Sequence, residues 1–264
     1  MEVRGISEVN LLYIAPLFFG VSFIYSSAGF GGGSSYIAIL VLFGISLFMV
    51  PPIALVLNII VASLAMINFA RAGHLSIKFA LPFLSSVPFA FFAGTIPVSA
   101  QQLTIIFVAA LFAASAALFI SAAKRNLFTA PPNRDLQSGQ MKKVILIGIP
   151  AGAAMGLVAG LVGIGGGIWL SPLLILAGMA DPKRAAATSS VFIVANSVSG
   201  LLGQSLSKPL DLYILVPLGL VVLAGGIIGS RFGALKFDQV KIRMIVGGIV
   251  AVAGINIMLK FLFA

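Results

Sequence analysis

The chain contains no cysteine, one histidine, one tryptophan and six acidic residues among its 264. The missing cysteines remove disulfides, thiolate metal sites and thiol redox chemistry. Only 8% of residues are charged, where soluble domains carry roughly 25%. Not one Asp, Glu, Lys or Arg occurs in 9–70, 79–123, 144–180 or 212–230. The mid-membrane carboxylates usual in proton and cation pumps are therefore missing, and any proton coupling has to use His74, the substrate or water. With one histidine and no embedded carboxylate, almost no catalytic groups remain. An enzyme is not expected, nor a metal or cofactor, and no ATPase motif is present.

What the chain does have is apolar surface, with 60% hydrophobic residues. A membrane span takes about 20 apolar residues, so the longer uncharged stretches hold more than one. The net charge of +10 does not point to nucleic acid, because the basic residues lie in short loops between apolar segments, where orientation signals belong. Residues 1–10, with Glu2, Arg4 and Glu8, lack the basic flank of a cleaved signal peptide. A multi-pass protein of a prokaryotic cytoplasmic membrane is expected.

Glycine breaks this apolar background twice in the same way. Gly29-Phe30-Gly31-Gly32-Gly33 and Gly163-Ile164-Gly165-Gly166-Gly167 superpose at a shift of 134, and Pro82 and Gly94 match Pro217 and Gly229 at 135. Apolar segments lie near 9–29, 32–48, 51–70, 79–97, 102–122, 143–163, 166–179, 185–205, 212–230 and 240–262. The segments after the two breaks are shorter than a span at 1.5 Å per residue. Each reads as the return arm of a re-entrant hairpin. With hairpins at 9–48 and 143–179, thirteen of the sixteen Lys and Arg share one face; with continuous crossings, ten do. The positive-inside rule favours the hairpins and puts both termini outside the cytoplasm.

The expected fold is an all-α integral membrane protein of two inverted-topology repeats, each a glycine-broken re-entrant helical hairpin plus three transmembrane helices. The repeats cover 1–122 and 143–264, joined by a cytoplasmic linker at 123–142. Paired breaks in two inverted halves point to a transporter's binding site. A helix starting at such a break has unpaired N–H groups and a positive dipole end, which binds anions without a cationic side chain.

The expected substrate contacts are Gly31, Gly32, Gly33, Ser34 and Ser35 in the first half and Gly165, Gly166, Gly167 and Trp169 in the second. Asn58, Asn196, Thr188 and Ser189 join them, since polar groups within spans face a cavity or another helix. For the asparagines, ligand contact and interhelical bonding stay equally open. Thr188-Ser189-Ser190 near a helix start can also serve as a cap. The bland reading of the glycines is tight hairpin packing. Glycine ladders at 152, 156, 160 and at 225, 229, 233 read as close helix packing. Arg71, His74 and Arg231 stand at span ends, as gating or coupling groups or as simple orientation signals and snorkelling side chains.

Ala159 to Gly167 followed by Pro172-Leu173, then Ala187-Thr188-Ser189-Ser190 and Gly229-Ser230-Arg231-Phe232-Gly233, resemble the second-half signature of the sulfite exporter (TauE/SafE) family. Gly29 to Gly33 and Gly73-His74 match in the first half, where Ala54-Leu55-Val56 stands in place of the family's Thr-Ser pair. The resemblance implies a secondary transporter of small sulfur-containing anions such as sulfite, sulfoacetate or other organosulfonates, often working outward. The partners expected are that small anion and membrane lipid, with a proton or cation open as coupling ion. An anion channel, or a transporter of another small solute, is the alternative.

Overall fold

A computed structural model describes residues 8–123 and 138–263, and within these every regular element is helical. The first half comprises α1 (Glu8–Ser27), α2 (Gly33–Leu42), α3 (Val50–Arg71), α4 (Ile77–Ala80), a 3-10 turn (Leu81–Ser85), α5 (Ser86–Thr95) and α6 (Ala100–Ala123). The second comprises α7 (Ser138–Val162), α8 (Gly167–Leu176), α9 (Pro182–Gln204), α10 (Leu212–Leu235) and α11 (Gln239–Phe263). Seven helical runs among the described residues are long and apolar enough to cross a membrane, with α4, the 3-10 turn and α5 counted as one run over Ile77–Thr95. The short apolar helices include α2 and α8, ten residues each. These are the two arms expected to return after the breaks.

Local chemistry explains the helix starts. Pro51 and Pro182 occupy the first turns of α3 and α9, where a missing N–H costs nothing. Asp181 and Asp211 cap α9 and α10 by accepting from the next turn's amides. Pro82 falls in the 3-10 turn that divides α4 from α5, whereas its counterpart Pro217 lies inside unbroken α10. Most of the expected linker (124–137) lies outside the described residues. Its last part, from Ser138, belongs to α7, so that helix starts about a turn earlier than the apolar pattern indicates.

Packing crosses the halves. Helix α3 lies on α9 and α6 on α11, while α1 packs on α10 and α7 on α5. The glycine ladders make the last two contacts close. Gly152, Gly156 and Gly160 leave no room for a Cβ against Phe83, Ser86 and Ala90; Gly225, Gly229 and Gly233 do the same against Ser22, Phe23 and Ser27. The expected packing role of these ladders is what the structure shows.

The described parts of the loops expected on one face gather at one end of the bundle. Lys183 reaches the Leu235 carbonyl at 3.5 Å, Arg243 donates to Pro182 O at 3.0 Å and Lys143 to Ala177 O at 2.8 Å. At the opposite end Lys260 donates to Val41 O at 2.7 Å, and the Lys208 ammonium lies 5.0 Å from the Phe48 ring centre.

Candidate functional site

Both breaks use glycine where backbone geometry requires it. Gly32 (φ 94°) and Gly166 (φ 78°) are the N-cap residues of α2 and α8, in the left-handed region that side chains disfavour. Each break starts beyond the middle of the bundle: Gly29 packs on the Ala186 backbone near the start of α9, and Gly163 on Pro51 at the start of α3. The chain then turns back, so that α2 and α8 begin near the middles of α3 and α9.

Asn58 ties the two breaks together. Its Oδ1 accepts from the Gly33 amide at 2.7 Å, and its Nδ2 donates to Ile164 O at 3.1 Å. This one buried side chain caps the start of α2 and grips the loop of the other half. Of the two roles left open for Asn58, the structure displays the bonding one. The residue 135 positions on is Ile193, which meets Gly165 and Gly167 as Asn58 meets Gly31 and Gly33. An isoleucine offers no hydrogen bond, and among the described residues no side chain caps the Gly167 amide. The two helix starts are thus chemically unequal.

The uncapped start faces unpartnered polar groups. Ser189, Ile193, Asn196 and Ser197 fall on one face of α9 by their spacing, and all are buried. Ser189 Oγ, Ser197 Oγ and both amide atoms of Asn196 have no hydrogen-bond partner. A Cβ on Gly165 would come within 2.9 Å of Ser197 Oγ, and one on Gly167 within 3.1 Å of Ser189 O. Buried polar atoms are nearly always paired, so four unpartnered ones on this face of α9 are unusual.

The remaining expected residues divide. Ser34 and Ser35 are buried beside the first break but share the Tyr25 hydroxyl, at 3.3 and 2.7 Å. Trp169 is tied to α6, its indole N–H donating to Ala110 O at 3.1 Å. Thr188 donates to Arg184 O at 2.9 Å and Ser190 to Ala187 O at 2.7 Å; both lie past the helix start, so the cap of α9 is Asp181 and not this hydroxyl run. Ser197 was not anticipated. The signal that could have found it is its place one turn beyond Ile193, with Ser189 and Asn196 on the same α9 face.

A family model described as sulfite exporter TauE/SafE matches residues 14–257. The chain belongs to the TauE/SafE family. It is a membrane transporter and not an enzyme. A relative in Sinorhizobium fredii (strain NBRC 101917 / NGR234), called probable membrane transporter protein y4hK, is 28% identical over 258 residues, covering 95% of this chain and 99% of that one. A probable membrane transporter protein of Xylella fastidiosa (strain 9a5c) is 30% identical over 112 residues, 42% of each chain. No solved structure matches.

In this TauE/SafE chain the three groups expected to gate or couple lie away from the breaks. Arg71 and Arg231 line a cavity of about 600 Å³ between α3 and α10, where Asn68 donates to Ser230 Oγ at 2.7 Å. His74 follows α3, its ring centre 6.3 Å from that of Phe69. Partial burial and the nearby Lys183 charge lower its pKa below the usual 6.5, against the opposing pull of Asp181 and a hydrogen bond with the Ala234 backbone.

Proposed function

We propose that this transporter carries a small oxyanion of sulfur, such as sulfite or a short organosulfonate, held at the start of α8 and moved by alternating access. The observation that carries this reading is the unpartnered Ser197 hydroxyl against Gly165, on the α9 face that also bears the unpartnered Ser189 and Asn196 groups. Tetrahedral and pyramidal oxyanions present several acceptor oxygens, and the site offers amides, hydroxyls and a carboxamide as neutral donors. Neutral donors at a helix start hold an anion without burying a full positive charge, which keeps release possible. Export fits the family description of a sulfite exporter.

Two inverted repeats support the alternating step. Exchanging first-half for second-half elements leaves the helix pairings unchanged: α1 on α10 becomes α7 on α5, and α2 on α11 becomes α8 on α6. A substrate at a loop shared by two such halves can be exposed to either side by nearly the same motion run in reverse. The excess of basic residues at the Lys183 and Arg243 end supports a cytoplasmic location for that end.

Thermal unfolding of the purified full chain with sulfite, thiosulfate, sulfoacetate and sulfate tests the substrate class. At least one sulfur oxyanion should stabilise the wild type. Ser197→Ala and Asn196→Ala should weaken that stabilisation about tenfold in apparent affinity, one polar contact each, yet leave the ligand-free protein as stable as before, because each removes a buried group that has no partner. Loss of ligand-free stability with unchanged ligand response would reject the site.

A further inference from the structure

The groove at the basic ends of α3 and α10 plays no part in the site above. Asn68, Arg71 and Arg231 form its polar wall, and Ile67, Ile227 and Leu235 its apolar one. Ile67 is 42% exposed, Ile227 49% and Leu235 60%, although all three belong to helices fit to cross a membrane. The groove therefore opens sideways, on the outer surface of the bundle. Inward, a Cβ on Gly226 would lie 2.9 Å from Leu64 Cδ1, with Val61 beside it, so α3 and α10 touch between the groove and Asn58.

The charge arrangement suits a fixed phosphate at headgroup depth. Arg71 ends α3 and Arg231 lies in the last turns of α10. The Lys183 ammonium reaches the carbonyl of Leu235 at the mouth. Among the described residues no carboxylate lines the groove, and Asp181 is engaged by the amides of Lys183 and Arg184. Guanidinium groups match phosphate oxygens in paired hydrogen bonds, and basic pockets between spans on the cytoplasmic side favour anionic headgroups.

We propose that this groove binds an anionic phospholipid, with its phosphate between Arg71 and Arg231 and an acyl chain along Ile67 and Ile227, one turn deeper on each helix. The two walls are what separate it from a free-anion site: charge alone would serve a soluble ion, whereas the apolar lane serves only a chain.

Native mass spectrometry of the detergent-purified full chain, with phosphatidylglycerol and phosphatidylcholine in parallel, reads the binding directly. The wild type should prefer phosphatidylglycerol. Arg71→Gln/Arg231→Gln should weaken that binding about thirtyfold, two cationic contacts at a membrane surface, and leave phosphatidylcholine unaffected. Arg71→Lys/Arg231→Lys keeps both charges but loses the paired geometry and should bind between the wild type and the Gln pair, which separates charge loss from misfolding. Ile227→Asp, with both arginines intact, should also weaken it. Glycerol 3-phosphate and inorganic phosphate should not compete at matched concentration. Undiminished binding in the Gln pair, a Lys pair as defective as the Gln pair, or displacement by matched inorganic phosphate would each overturn the assignment.

Discussion

Asn58 concentrates more structure in one side chain than any other residue near the breaks. Removing it orphans the Gly33 amide and the Ile164 carbonyl together. Each buried group left unpaired costs about 1–3 kcal/mol, so Asn58→Leu should lower the unfolding midpoint in detergent well beyond the effect of an ordinary core substitution. Asn58→Asp should still accept from Gly33 but, as a carboxylate near the anion, should abolish ligand stabilisation. Sequence alone marked Asn58, Asn196 and Ser189 as embedded polar groups. It did not reveal that Asn58 is consumed by bonding while Asn196 is left unpaired, because that depends on whether residue 58 or 193 faces a given glycine. His74 gives a pH test. Its pKa is lowered on folding, so the unfolded chain binds more protons just below the ordinary value of 6.5. Stability is then full above about pH 6.5 and falls as pH drops, in a window above the carboxylate range. Thermal unfolding between about pH 5 and 7 should show this slope, and His74→Gln should flatten it.

At the scale of helices, two classes of glycine should respond oppositely to substitution. Gly229 meets the Phe23 backbone and Gly160 the Ala90 backbone, so neither neighbour can yield as a flexible side chain would. Gly229→Leu or Gly160→Leu should cost several kcal/mol, above the ~1–3 kcal/mol typical of overpacking, and reduce the yield of folded protein. Gly248 in α11 has nothing within 4 Å of a Cβ. Gly248→Ala should stabilise by about 0.5–1 kcal/mol through helix propensity, measured by the same unfolding midpoint. The four-residue spacing of the ladders was readable because it is a property of one helix. The divided course of α4 and α5 around Pro82 was not, since an equivalent Pro217 leaves α10 whole; tertiary context, not the proline, decides. The hydroxyl run at Thr188 misled for a related reason, as the helix starts earlier at Pro182.

For the molecule as a whole, the absence of cysteine turns topology into a clean experiment. In the proposed orientation, a single cysteine at Ser207→Cys, between α9 and α10, should react with a membrane-impermeant maleimide in intact cells. Ser76→Cys, between α3 and α4, should react only after the membrane is opened. The reverse pattern would invert the assignment of faces, and equal labelling would break the hairpin topology. Charge bias along the sequence carried this expectation, because it needs only the order of loops. The exchange of partner helices between halves was invisible to it, because a repeat says which segments are alike and nothing about which ones touch. That exchange limits how the protein can move. With α1 seated on α10 and α7 on α5, the repeats clasp each other like folded arms, and swinging one away from the other as a clamshell would tear open both glycine seams. Under the proposed alternating access, the expected stroke is therefore local, a slide or tilt of the short return arms and their neighbours inside a frame that stays shut.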